Sequence, residues 1–119
     1  MKKAFILSTC DTCSRILKEL NLDSSWTIID IKKDPISEAD LNFAAELNGG
    51  YESCFNKRAR KYTEQNIKDT NPTEADYKKL ILEEYTFLKR PVFIWDEQVW
   101  VGNSKTTIAD LKTAMNEKG

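Results

Sequence analysis

The chain has 119 residues, 40% of them hydrophobic and 31% charged, with a formal net charge of -1. That composition suits one ordinary globular domain, spanning residues 1–119, with its own core. It excludes a global basic field that would draw the protein to nucleic acid or to a membrane surface. No apolar run approaches the length of a bilayer span, and Met1-Lys2-Lys3 followed by a short apolar run is too brief for a secretory signal, so the expected location is cytoplasmic. Histidine is absent, which removes Ser–His and Cys–His catalysis and the Cys/His zinc deaminase pattern.

In chain order, Ala4-Phe5-Ile6-Leu7 reads as a short buried strand, and Ile16, Leu17 and Leu20 form an apolar stripe at helical spacing. Asn21 and Asp23-Ser24-Ser25 break that helix, and Trp26-Thr27-Ile28-Ile29-Asp30-Ile31 reads as a second strand. Ser37 with Asp40 resembles a capping box for a helix carrying Leu41, Ala44 and Ala45, which Asn48-Gly49-Gly50 ends. The next stretch is mostly polar, with Tyr51, Phe55 and Tyr62 as anchors and a basic run, Lys57-Arg58-Ala59-Arg60-Lys61; a short helix is expected near 58–67. Thr73 caps a clear helix with Asp76 at its third position and Tyr77, Leu80, Ile81 and Leu88 on the buried side, stopped by Lys89-Arg90-Pro91. Val92–Trp95 and Gln98–Val101 form a hairpin across Asp96-Glu97, and a last helix carries Ile108, Leu111 and Met115. Trp26, Trp95 and Trp100 are most simply core residues, because a nucleic-acid stacking platform would need a basic groove.

Cys10 and Cys13 lie where the first strand hands over to the first helix. Backbone N–H groups at a helix start are unpaired and the helix dipole is positive there, so a thiolate is stabilised and becomes a usable nucleophile near neutral pH. Cys10, nearest the helix start, is the expected attacking thiolate, and Cys13 the thiol that resolves it. A zinc site needs four ligands; here only Cys54 could add a third thiol, so a carboxylate or a second subunit would have to complete it. Cys54 itself reads as a partly buried packing residue, with a second resolving thiol as the other reading. Arg15 would cover the outer side of the first helix, and the run containing Arg58 and Arg60 divides between a solvated face and a functional one.

The order β-α-β, a helical block, then β-β-α is a thioredoxin-like arrangement. The expected fold is α/β, a mixed sheet of about four strands with a helical insertion, residues 37–88, between the second and third strands. Pro91 opens the third strand and should lie across from the cysteine turn, with a cis Arg90–Pro91 bond. The strand before Cys10-Asp11-Thr12-Cys13, the segment Phe55-Asn56-Lys57-Arg58, and Leu88-Lys89-Arg90-Pro91-Val92-Phe93-Ile94 with Val101-Gly102 together resemble the ArsC/Spx family. These are arsenate reductase-like proteins of thioredoxin-like fold, and the resemblance spans nearly the whole chain.

The resemblance implies that Cys10 is the nucleophile and that Cys13 is the second cysteine of members forming a Cys-x-x-Cys disulfide. Arg90 matches the arginine that helps hold the oxyanion in arsenate-reducing members. Arg58 matches an arginine of the Spx-like members, and Arg15 stands one position after the arginine of the single-cysteine reductases. Those reductases carry serine where this chain has Cys13, and a further arginine near Gly102, where Val101-Gly102-Asn103 stands. The site is therefore closer to the two-cysteine branch. The implied activity is thiol-dependent reduction through a Cys10–Cys13 disulfide, acting on a small oxyanion in arsenate-reducing relatives. No bound cofactor or metal is implied; the reductant would be an external thiol system, thioredoxin or glutaredoxin with glutathione. The alternative is an Spx-like redox-sensing regulator that binds RNA polymerase without contacting nucleic acid directly.

Overall fold

Strands β1 (Lys2–Ile6), β2 (Thr27–Asp30), β3 (Val92–Trp95) and β4 (Gln98–Val101) form one mixed sheet in the order β2-β1-β3-β4. The computed structural model describes residues 1–118, and the chain divides into two units, one running from Met1 to Asp34 and resuming at Arg90, the other Pro35–Lys89. β1 pairs parallel with β2, Ile6 opposite Asp30, and antiparallel with β3, Ala4 opposite Phe93. β3 and β4 pair antiparallel as the expected hairpin, turning at Asp96, whose φ of 52° lies in the left-handed region that Asp tolerates in tight turns. The α-amino group of Met1 meets Asp96 at 2.6 Å and so ties the start of β1 to that turn.

Helices α1 (Asp11–Leu20) and α5 (Lys105–Lys118) belong to the same unit. Period-two alternation puts Ala4, Phe93, Trp95 and Trp100 on one sheet face, where they pack with Trp26 and with Ile16, Leu20, Ile108 and Leu111 at helical spacing. Trp26 meets Phe93 and Trp95 edge-on, with centroids 6.0 and 5.8 Å apart. All three tryptophans are core residues. A side chain of that size is worth roughly 1.5–3 kcal/mol when fully buried, so this cluster anchors the frame that carries the cysteine turn. α1 ends at Asn21, in the left-handed conformation, its N–H bonded to the carbonyl of Leu17.

The second unit is built from short helices held by caps, ring contacts and ion pairs. In α2 (Glu38–Asn48) the Ser37 hydroxyl accepts from the Asp40 N–H at 3.1 Å, and Gly49 closes the helix at φ 99°. Gly50 has φ 122°, and a Cβ there would lie 2.5 Å from the Glu74 carboxylate, which accepts from the N–H groups of Tyr51 and Glu52. After a 3-10 turn at Glu52–Cys54, Phe55 bridges Leu88 and packs on Phe87, Tyr77 and Tyr62, with centroids 4.9, 5.0 and 5.6 Å away. α4 (Glu74–Glu83) opens on the full capping box of Thr73 and Asp76.

Two expectations fail in this unit. The helix expected near 58–67 is split into α3 (Arg60–Glu64) and a 3-10 turn, Ile67–Thr70, because Asn66 takes φ 52° between them. The helix expected to carry Leu88 stops at Glu83. Glu84 turns extended, at φ -140° and ψ 111°, and its carboxylate accepts from the N–H of Thr86, so Tyr85–Phe87 form a 3-10 turn instead. Leu88 is buried because it bridges Phe55, not because it continues a helix face, and Leu80 is only half-buried.

Candidate active site

The cysteine turn starts where β1 ends. The N–H of Cys10 donates to the carbonyl of Leu7 at 2.9 Å, closing a tight turn, and the N–H of Ser14 donates to the carbonyl of Cys10 at 3.1 Å, opening α1. Cys10 is thus the N-cap of α1, at φ -93° and ψ 115°. Its sulfur closes no regular capping bond, yet the N–H groups of Cys13 and Thr12 face it. Cys10 is half-buried, whereas Cys13, one turn into the helix, is 1% exposed.

The two thiols differ in acidity for physical reasons. Burial works against ionisation of Cys10, but the Cys13 N–H, the Cys13 thiol, the Thr12 N–H and the Arg90 charge outweigh it, so its pKa falls below the ordinary thiol value. Burial dominates at Cys13 and pushes its pKa up to about 11, with the negative charge on Cys10 adding to the rise and Arg90 opposing it. Both cysteines are free thiols. Loss of one proton from the pair is therefore favoured at the outer sulfur, with the inner thiol able to donate to it.

Arg90 stands just before β3, and the Arg90–Pro91 peptide bond is cis. The carbonyl of Pro91 accepts from the N–H of Gly102 at 2.9 Å, which fixes the entry to β3 against β4. Arg90 is half-buried, and its guanidinium charge acts on both cysteine sulfurs. Cys10, Cys13 and Arg90 are therefore the sequence-selected residues that come together. Arg15 points outward on α1, where its charge acts on Glu19. Arg58 is exposed in the second unit, its N–H bonded to the Asn56 side chain.

A carboxylate that the sequence did not flag holds the turn in place. Asp30, at the end of β2, accepts from the Ser8 hydroxyl at 2.7 Å and from the Lys32 N–H at 3.2 Å. The Ser8 hydroxyl bond is the chief reason its own pKa is lowered. The signal available was the parallel pairing of the first two strands, which sets Asp30 opposite Ile6 and so beside the turn.

Cys54 is the counter-example. It is fully buried rather than partly so, and burial raises its pKa against the hydrogen bonds of Ser53 and Asn48. Its carbonyl accepts from the Lys89 N–H at 2.8 Å. Among the described residues no group of three or more His, Cys, Asp or Glu side chains is arranged to hold a metal ion, and no helix is long and apolar enough to cross a membrane.

Solved structures with the same fold include an ArsC family related protein from Bacteroides fragilis, 23% identical, at a TM-score of 0.77 over 92% of this chain and 97% of that one. An arsenate reductase (ArsC) related protein from Brucella melitensis is 20% identical at 0.67, covering 92% of both chains. An arsenate reductase from Vibrio cholerae is 14% identical at 0.76, over 92% of this chain and 95% of that one. At these identities the likeness speaks for the thioredoxin-like fold. No curated protein matches the sequence. The family model described as the ArsC family matches residues 5–111, nearly the whole chain, and the protein belongs to the ArsC family.

Proposed function

We propose that the protein is a thiol-dependent oxidoreductase in which Cys10 attacks and Cys13 resolves. The observation that carries this reading is two thiols within one helical turn: Cys10 half-buried as the N-cap of α1, with the Cys13 and Thr12 N–H groups and the Arg90 charge facing it, and Cys13 buried inside the helix. The Cys10 thiolate attacks a substrate disulfide, one sulfur leaves as a thiolate, and a mixed disulfide remains on Cys10. The charge on Cys10 that helped hold the Cys13 proton is then gone, and the Arg90 charge still favours a Cys13 thiolate. Cys13 attacks Cys10, expels the second substrate thiolate, and two electrons have passed from protein to substrate. A thioredoxin, or glutaredoxin with glutathione, returns both electrons and regenerates the two thiols.

With arsenate as substrate, Cys10 would displace water to form a sulfur–arsenic bond, and Cys13 would attack Cys10 to release arsenite. Arg90 would neutralise the incoming anion, since a guanidinium clamps tetrahedral oxyanions through paired donors. Arg58 and Arg15 are the further candidates for that anion.

The test is NADPH consumption by the purified protein with thioredoxin and glutaredoxin systems supplied separately, with and without arsenate, and with Cys10→Ser as control. Turnover that requires Cys10 supports the reductase and identifies its electron donor. Reversible disulfide formation without turnover would overturn it in favour of a redox-switched binding protein, for which RNA polymerase is the first partner to assay.

A further inference from the structure

The second unit contains a cleft of about 540 Å³, lined by Glu52, Lys57, Tyr62, Lys68, Asn71, Pro72 and Tyr77, that the thiol chemistry does not use. Its volume is in the range of small-molecule sites, roughly 300–1,000 Å³. One side is aromatic. Tyr77 is 5% exposed and Tyr62 half-buried, and both pack on Phe55, which fixes their rings from behind. The rim carries three charges, and two of them cancel: Lys57 meets the Glu52 carboxylate at 2.6 Å, and that carboxylate also faces the Tyr77 hydroxyl. Lys68 is exposed and makes no ion pair or side-chain hydrogen bond among the described residues. The rim is left with a single positive charge beside a rigid aromatic wall.

From this arrangement we propose that the cleft binds a small planar aromatic molecule bearing one anionic group, a carboxylate or a phosphate, with the ring against Tyr62 and Tyr77 and the anion on Lys68. An aromatic ring gains from stacking or edge contact with such a wall, and a tethered anion gains a charge-assisted hydrogen bond at the one uncompensated cation. A neutral aromatic lacks the second contact. A ligand with a second, separate anionic group would bring that group towards the Glu52 carboxylate, which opposes it. None of the cysteines lines this cleft.

The experiment is amide NMR titration of the whole protein with 1-naphthoate, 1-naphthyl phosphate and the neutral 1-naphthalenemethanol. Saturable shifts confined to residues lining the cleft are expected for the two anions, and their relative affinities show which headgroup the site prefers. Affinity should fall about threefold for the neutral probe and for Lys68→Ala, the loss of one solvent-exposed ion pair. Lys68→Glu, equally exposed and unable to disturb the core, should weaken anion binding further, and Cys10→Ser should leave it unchanged. No saturable shift with millimolar probe, equal affinity for the neutral probe, or full affinity in Lys68→Ala would each overturn the proposal.

Discussion

Cys10 and Cys54 are the same side chain placed in two surroundings, and they acquire opposite acidities. Around residue 10 a strand ends, a helix begins, and N–H groups with an arginine face a half-open sulfur. Around residue 54 a 3-10 turn packs the sulfur into a core where burial outweighs the Ser53 and Asn48 side chains and the Lys89 charge, and its pKa is raised. The lesson is that reactivity follows the direction of nearby dipoles and charges and the access of solvent, with the thiol itself common to both. The proposed reductase puts reactivity at Cys10 and packing at Cys54.

The largest expected effect tests that division outright. Cys10→Ser should lower thiol-dependent turnover by about 10³-fold or more, because a hydroxyl is a far weaker nucleophile near neutral pH. Cys54→Ala should leave turnover within a few-fold and act on stability instead. Coupled NADPH consumption on both variants decides it; loss of activity in folded Cys54→Ala would erase the distinction.

The second region should break first when its packing is cut. Phe55 is 1% exposed and touches three aromatic rings, so Phe55→Ala should cost about 3–5 kcal/mol in urea unfolding. A loss below about 1 kcal/mol would mean that this cluster does not hold the helical block together.

A subtler test separates the two thiols of the motif by pH. Cys10 should alkylate with an apparent pKa below that of an ordinary thiol, while Cys13 stays protonated until the pH approaches 11. Arg90→Gln removes a positive charge that favours the thiolate, so the apparent pKa of Cys10 should rise and its rate at pH 7 should fall several-fold. An unchanged profile would remove Arg90 from the site. The smallest effect concerns local order: Thr73→Ala, which deletes half of a capping box, should cost about 1 kcal/mol in the same urea assay.

The first unit was legible in the sequence because its signals are local and strong. Alternating apolar strands, the helix stripe of Ile16 and Leu20, and the Asp96-Glu97 turn each specify their element, and the parallel pairing follows from the β-α-β order. The caps of the second unit were equally legible at Ser37 and Thr73, since a capping residue acts within one turn. The interruptions at Asn66 and Glu84 were not. Asn66 in the left-handed conformation and the Glu84 carboxylate on the Thr86 N–H are breaks made by single polar residues that the surrounding pattern does not single out, and the Phe55–Leu88 bridge beyond Glu84 joins positions far apart in sequence. The site divides in the same way. The two cysteines announce themselves by spacing, whereas the Asp30 tether on Ser8 exists only once two strands are paired.

The most direct test of the central claim is to trap the first covalent step. Cys13→Ser protein, reacted at neutral pH with a chromogenic aromatic disulfide and analysed by peptide mass spectrometry, should carry the mixed disulfide on Cys10. The wild-type protein should release both substrate thiols and end with Cys10 linked to Cys13. A stable adduct on Cys54, or on Cys10 in the wild-type protein without release of the second thiol, would contradict the assignment of Cys10 as nucleophile and Cys13 as its resolving partner.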